Sequence, residues 1–184
     1  MNLEELRLDC AVKQKKGLHF ILASVFVWCA MIFVHTSQLP IVTKNLLTFC
    51  FTTPLVPLAY FISKIIKVDF QNKSNPLTKL GLLFSVNQIL YLLIAMWVYP
   101  TVPDKMLMVI AIIFGAHLMP FGWLYKSKAY MAFSIIVPVL SLVVGCMFET
   151  YLLAVMMLVI EILFSAFLMI ENKNMVKMKT ADMA

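Results

Sequence analysis

Six apolar runs, each about long enough to cross a bilayer, leave this chain few ways to fold. A helix spanning roughly 30 Å of hydrocarbon needs about 20 mostly apolar residues. Such runs occupy Leu18–Thr36, Leu46–Ile66, Leu80–Tyr99, Met106–Tyr125, Tyr130–Phe148 and Tyr151–Ile170. They hold 119 of the 184 residues, and the longest interval between them, Lys67–Lys79, has 13. No water-soluble domain fits in the intervals. The chain is 62% apolar and 13% charged, with a mean hydropathy of +0.93. A soluble domain carries about 25% charged residues, and a globule of this size cannot hide so much apolar surface from water. The expected fold is all-α, an integral membrane bundle of six transmembrane helices.

The net charge of +6 would suggest a nucleic-acid partner in a soluble protein, but here the cations sit between apolar runs. With the N-terminus cytoplasmic, 13 of the 15 Lys and Arg residues fall inside and only Lys44 and Lys105 outside. Short loops biased this way set orientation, so both termini are expected in the cytoplasm. Residues 17–170 then form the six-helix domain. Residues 1–16 read as a cytoplasmic amphipathic segment, with Leu3, Leu6 and Cys10 on one face, or as a charged, frayed tail. Residues 171–184 show no periodicity and read as a disordered cytoplasmic tail. The first run is too long for a signal core and lacks a small-x-small cleavage site, so it is expected to stay as an anchor. Trp97, Tyr99 and Tyr151 mark one expected interfacial belt, and Trp123, Tyr125 and Tyr130 the other.

Common soluble-enzyme chemistry leaves no trace. No P-loop, dinucleotide fingerprint, H-E-x-x-H or G-x-S-x-G occurs. No C-x-x-C pair or Cys/His ligand spacing points to a metal, and no cofactor or catalytic residue is assigned. A Cys29–Cys50 bridge is geometrically conceivable, but buried free thiols are the better reading.

The informative residues are the polar ones at membrane depth. Glu161 lies midway along the sixth run, where an ionised carboxylate costs roughly 2.5–3.5 kcal/mol. It shares a helical stripe with Ala154, Leu158, Ser165 and Leu168, so it should face another helix. His117 stands three residues before Pro120, whose missing N–H frees the carbonyl of Ala116. Gly115 and Gly122, seven apart, invite a close helix neighbour. Asn87, Gln88 and Tyr91 form the third group. At 1.5 Å per residue, Glu161 lies about 14 Å from the cytoplasmic end of its run, His117 about 12 Å, and Asn87 and Gln88 about 11–12 Å. One polar layer that binds a substrate or a proton is expected, against the plainer reading of polar residues that merely glue helices together. Pro54 and Pro57 in the second run, Pro120 in the fourth and Pro138 in the fifth are expected hinges, because each removes a helical hydrogen bond.

Three stretches carry a family resemblance: Lys15-Lys16-Gly17, Asn87-Gln88-Ile89-Leu90-Tyr91, and the fourth run with its exit, Phe114-Gly115-Ala116-His117-Leu118-Met119-Pro120 through Lys128. Together the chain resembles a family of small multi-span proteins of Gram-positive bacteria, domain-of-unknown-function family 7010. The resemblance implies a multi-pass protein of a bacterial plasma membrane and transfers no substrate, reaction or site residue.

The leading functional expectation is therefore a protein that binds or transports a small solute, coupled to protons through Glu161. His117 would act as a relay, and Asn87, Gln88 and Tyr91 would orient the solute. The lipid bilayer is the expected partner, and a homodimer is plausible because six helices is small for a carrier. A lipid-modifying membrane enzyme is the runner-up, and an accessory or sensing subunit the third reading.

Overall fold

The computed structural model of the chain describes residues 2–181, with side chains through Met175. Met1 and residues 182–184 of the expected tail lie outside the described residues. The chain folds into α1 (Leu3–Lys13), α2 (Leu18–Thr36), α3 (Ile41–Thr52), α4 (Leu55–Ile65), α5 (Leu77–Thr101), α6 (Met106–Leu124), α7 (Lys128–Met147) and α8 (Thr150–Ala181). Short 3-10 turns precede α2 and α6, and no strand occurs among the described residues. Six segments are long and apolar enough to cross a membrane, the second being α3 and α4 together. The protein is thus an all-helical multi-pass membrane protein.

The second segment is broken where its sequence asks for it. Pro54 caps α4 and Pro57 lies in its first turn, where missing N–H groups are least missed. The chain therefore restarts its helix after Thr53 rather than running through. The Thr52 and Thr53 hydroxyls both donate to the Phe49 carbonyl, at 2.8 and 3.0 Å, which also accepts the Thr53 N–H, so the last turn of α3 is tied off at that oxygen. At Pro120 and Pro138 the helix is not broken as it is at Pro54: α6 and α7 run through both. A Cβ at Gly115 would stand 2.6 Å from Pro138 Cδ, and one at Gly122 would stand 2.6 Å from the Met131 sulfur. The two glycines bring α7 onto α6, and Pro138 is packed into the α6 surface.

α1 is packed onto one end of the bundle. Asn2 and Glu5 form a capping box at its start, and Cys10 and Ala11 are fully buried at the end of the bundle, against α5, α6 and α8. Arg7 donates to the Trp123 carbonyl, and its guanidinium lies 4.5 Å from the Trp123 ring centroid. Of the face shared by Leu3, Leu6 and Cys10, Leu3 is exposed and Cys10 is buried.

The last helix does not stop where the apolar run stops. It is helical through Ala181, in the segment expected to be a disordered tail. The physical reason is anchorage: Glu171 accepts from Lys16 Nζ, Ser127 Oγ and the Ala129 N–H at 2.7, 2.7 and 2.9 Å, and Asn172 donates to the Lys15 carbonyl. Two belt expectations also change. Trp97 and Trp123 are exposed, but Tyr125 and Tyr130 are buried. All four cysteines are free, and only Cys10 is buried.

Candidate functional site

α2, with the turn before it, runs antiparallel to α8 and meets it at three polar clamps. Lys16 meets Glu171 near the end that carries α1, Ser24 meets Glu161 at mid-depth, and His35 meets Thr150 near the far end. The stripe foreseen around Glu161 does face inward: Ala154, Glu161 and Leu168 are fully buried and Ser165 nearly so, while Leu158 is only partly buried.

The partner of Glu161 is a residue the sequence did not single out. Ser24 Oγ is within hydrogen-bond distance of Glu161 Oε2 and also of the Ile21 carbonyl, at 2.8 Å. A hydroxyl has one proton to give, and the Ile21 carbonyl can only accept. Both contacts are satisfied together when the carboxyl carries the proton and donates it to Ser24 Oγ. Glu161 Oε1 has no hydrogen-bond partner in the protein. A charged carboxylate so placed would lack the bonds that make burial of charge tolerable.

On the other side of Ser24 lies a cavity of about 590 Å³. α2 contributes Ser24 and Trp28, the α3–α4 break contributes Thr52 and Thr53, α5 contributes Gln88, and α6 contributes His117. Gly17, Tyr125 and Tyr130 also line it. Gly17 has φ +69°, a left-handed conformation, and a Cβ there would stand 2.8 Å from the Tyr130 hydroxyl, so this position favours glycine twice over. The Tyr125 hydroxyl donates to Gln14 Oε1 at 2.9 Å. α4 packs on α2 and α5 on α6; among the described residues α4 and α5 share no extended interface, and both contribute to the cavity wall.

The structure therefore divides the expected polar layer. Gln88 and His117 line the cavity; Glu161 stands one hydroxyl behind its wall. His117 Nδ1–H donates to the Phe114 carbonyl at 2.9 Å, which leaves Nε2 as the acceptor of a cavity-lining ring. The carbonyl it uses is not the one freed by Pro120. Asn87 and Tyr91 are corrected out of the layer: both are exposed, and Asn87 Nδ2 donates to the Tyr91 hydroxyl at 2.8 Å. Residues four apart on a helix are neighbours, so this bond forms within α5 itself.

A second polar cluster was not foreseen. His35 lies between Thr150 Oγ1 on Nδ1 and Thr48 Oγ1 on Nε2, each at 3.1 Å. Thr48 spends its own proton on the Lys44 carbonyl, so Nε2 must be the donor to Thr48 and Nδ1 the acceptor from Thr150. Asn45, buried beside this cluster in α3, donates to the Pro103 carbonyl. No spacing within the sequence links residues 35, 48 and 150. Among the described residues no group of three His, Cys, Asp or Glu side chains is placed to hold a metal ion.

No curated protein matches the chain, and no solved structure does. The profile of DUF7010, a family of unknown function, matches residues 3–171, from α1 through all six spans. The chain belongs to the DUF7010 family.

Proposed function

We propose that this protein takes a small, largely apolar molecule into the intramembrane cavity and passes it across the membrane, with protonation of Glu161 linked to occupancy. The observation that carries this reading is the junction at Ser24, one side chain that both lines the cavity and holds the buried acid. A volume of about 590 Å³ lies within the usual range for small-molecule sites, about 300–1,000 Å³. Irregular backbone inside a bilayer is tolerated where it lines a cavity, and the Thr53–Pro54 break does so. Discontinuous helices at binding sites recur in transporters. Entry from the bilayer between α4 and α5 suits a ligand that partitions into lipid. Gln88 and His117 Nε2 supply a few hydrogen bonds in a wall otherwise dominated by apolar and aromatic side chains. In this reading the end bearing α1 faces the cytoplasm of a bacterial cell and the membrane is its plasma membrane.

The test uses the full chain in lipid nanodiscs and an uncharged aryl diazirine as photoaffinity probe, with labelled residues mapped by mass spectrometry. Labels on Thr52, Val56, Gln88 or His117 are expected, and Val86→Trp, which fills the cavity, should abolish them. Labelling confined to the outward faces of the helices overturns the binding reading. In proteoliposomes carrying an internal pH dye, probe addition should move protons in the parent and not in Glu161→Gln. Equal proton movement in both overturns the linkage.

A further inference from the structure

Three buried side-chain atoms without a hydrogen-bond partner lie on α8: Glu161 Oε1, Ser165 Oγ and Asn172 Oδ1. Their spacing of four and then seven residues puts them on one helical stripe, the stripe that faces α2. Buried polar atoms in proteins are nearly always satisfied, and where the protein offers no partner, water does so. Only His19, on the α2 face turned toward α4 and Phe70, carries other such atoms among the described side chains. The unpartnered groups of α8 thus form a line rather than a scatter.

The line ends at solvent. Ser165 is about 6 Å along the axis from Glu161, and Asn172 about 10 Å beyond Ser165. Beside Asn172 stands Glu171, paired with Lys16 and with its side chain 21% exposed. The titratable and charged groups facing this seam are Lys16 from the turn before α2, Tyr130 from α7, and Glu161 and Glu171 from α8 itself. Leu168, fully buried, is the apolar side chain on the same stripe between Ser165 and Asn172.

We infer that the α2–α8 seam binds a chain of water molecules that carries protons between Glu161 and the surface at the Lys16–Glu171 pair, separately from the ligand cavity. The carboxyl of Glu161 then has two sides: Oε2 shares a proton with Ser24 at the cavity wall, and Oε1 exchanges protons with the seam. A proton taken up on Oε1 leaves from Oε2, or returns by the same route, so no charge accumulates on the residue. Ser165 hands the proton on through its hydroxyl, and Leu168 throttles the passage. This inference rests on the protonated Glu161 of the proposed function and adds the route by which that proton arrives.

The experiment is hydrogen–deuterium exchange of the Glu161 carboxylic acid, followed by its infrared C=O band in the full chain in nanodiscs, with no ligand added. Glu161→Gln should remove the band and so assign it. Ser165→Ala deletes the hydroxyl with almost no change of volume and should slow exchange by at least about tenfold, a barrier change of about 1.4 kcal/mol. Leu168→Ala should accelerate exchange. Loosened packing alone would speed both variants, so the opposite signs separate a route from a structural effect. Val86→Trp, in the cavity, should leave the rate unchanged. Exchange equally fast in the parent and in Ser165→Ala overturns the seam, as does slowing by Val86→Trp but not by Ser165→Ala. A parent without the acid band overturns the proposed protonated Glu161 instead, so the two failures are told apart.

Discussion

The bundle has a closed half and an open half. In the segments built by α2 and α8, 50% and 44% of the apolar window is buried within the protein, whereas for the α3–α4 segment and α5 the figures are 22% and 17%. The open segments are the less apolar of the two sets, with mean hydropathy 1.6 and 1.8 against 2.2 and 2.6, so a greater apolar content does not cause their exposure. The closed half has glycines where helices touch, a proline fitted against Gly115, and ionic or hydrogen-bonded clamps along α2–α8. The open half has a proline-broken helix and a helix whose outward faces present leucine, isoleucine and tryptophan. Between lipid tails and an apolar helix there is no hydrophobic drive to associate; close fit and polar bonds do the work. A half without those devices is free to separate, and the cavity lies where the two halves meet.

Breaking the closed half should have the largest effect. Lys16→Met strips the ion from Glu171, which keeps Ser127 and the Ala129 N–H as partners, so the expected loss is about 2–3 kcal/mol rather than more. Denaturant unfolding in mixed micelles measures it, and Lys16→Met combined with Glu171→Gln should recover part of the loss. Gly115→Leu forces a branched side chain into Pro138 and Val137 and should cost about 1–3 kcal/mol; an unchanged unfolding midpoint would mean that α6 and α7 need no close approach there.

Glu161→Leu sharpens the comparison from the other side. A structural clamp should cost several kcal/mol to remove, but Ser24 keeps the Ile21 carbonyl as its acceptor and the acid leaves no charged partner behind. The expected change is within about 1 kcal/mol, together with complete loss of the proton signal. A large destabilisation would make Glu161 a fastener and not a site.

Acid should loosen one local contact. Burial pushes the Asp9 carboxyl up, but hydrogen bonds from Lys13, Asn75 and Asn72 outweigh it and hold the value below the ordinary range. A depressed carboxyl contributes stability that is present above its unfolded value, about 3.9, and is lost as pH falls through the lower folded value. Trp123 fluorescence, reporting the stacked Arg7, should therefore change below about pH 4 in the parent, and the change should shrink in Asp9→Asn, where the Glu4–Arg7 pair still titrates. The smallest effect belongs to the open half: Asn87→Leu and Tyr91→Phe, on an outward face, should shift stability by no more than about 0.5 kcal/mol.

Where the sequence could be read, it was read through local rules. Hydrophobic run length gave the spans, and Pro54 with Pro57 gave the break, because in lipid each segment must satisfy its own backbone. Pro138 followed the same rule and yet did not break α7, and what its sequence did not show is that it packs against Gly115 on another helix. Glu161 was legible as an inward acid since its stripe carries small residues, but Ser24 was not legible as its partner. Nothing about Ala23-Ser24-Val25 says which helix it will face.

The sequence by itself determined how many times this chain crosses the bilayer and that one acid must be hidden in its last crossing, since hydrocarbon penalises any unpaired polar group wherever it stands. Only the tertiary structure decided that Asn87 and Tyr91 turn outward while Gln88 turns in, and that Ser24 stands between the acid and the cavity. Helix rotation about its own axis is set by the neighbours it packs against, and an apolar helix surrounded by lipid carries little in its own sequence to fix that angle.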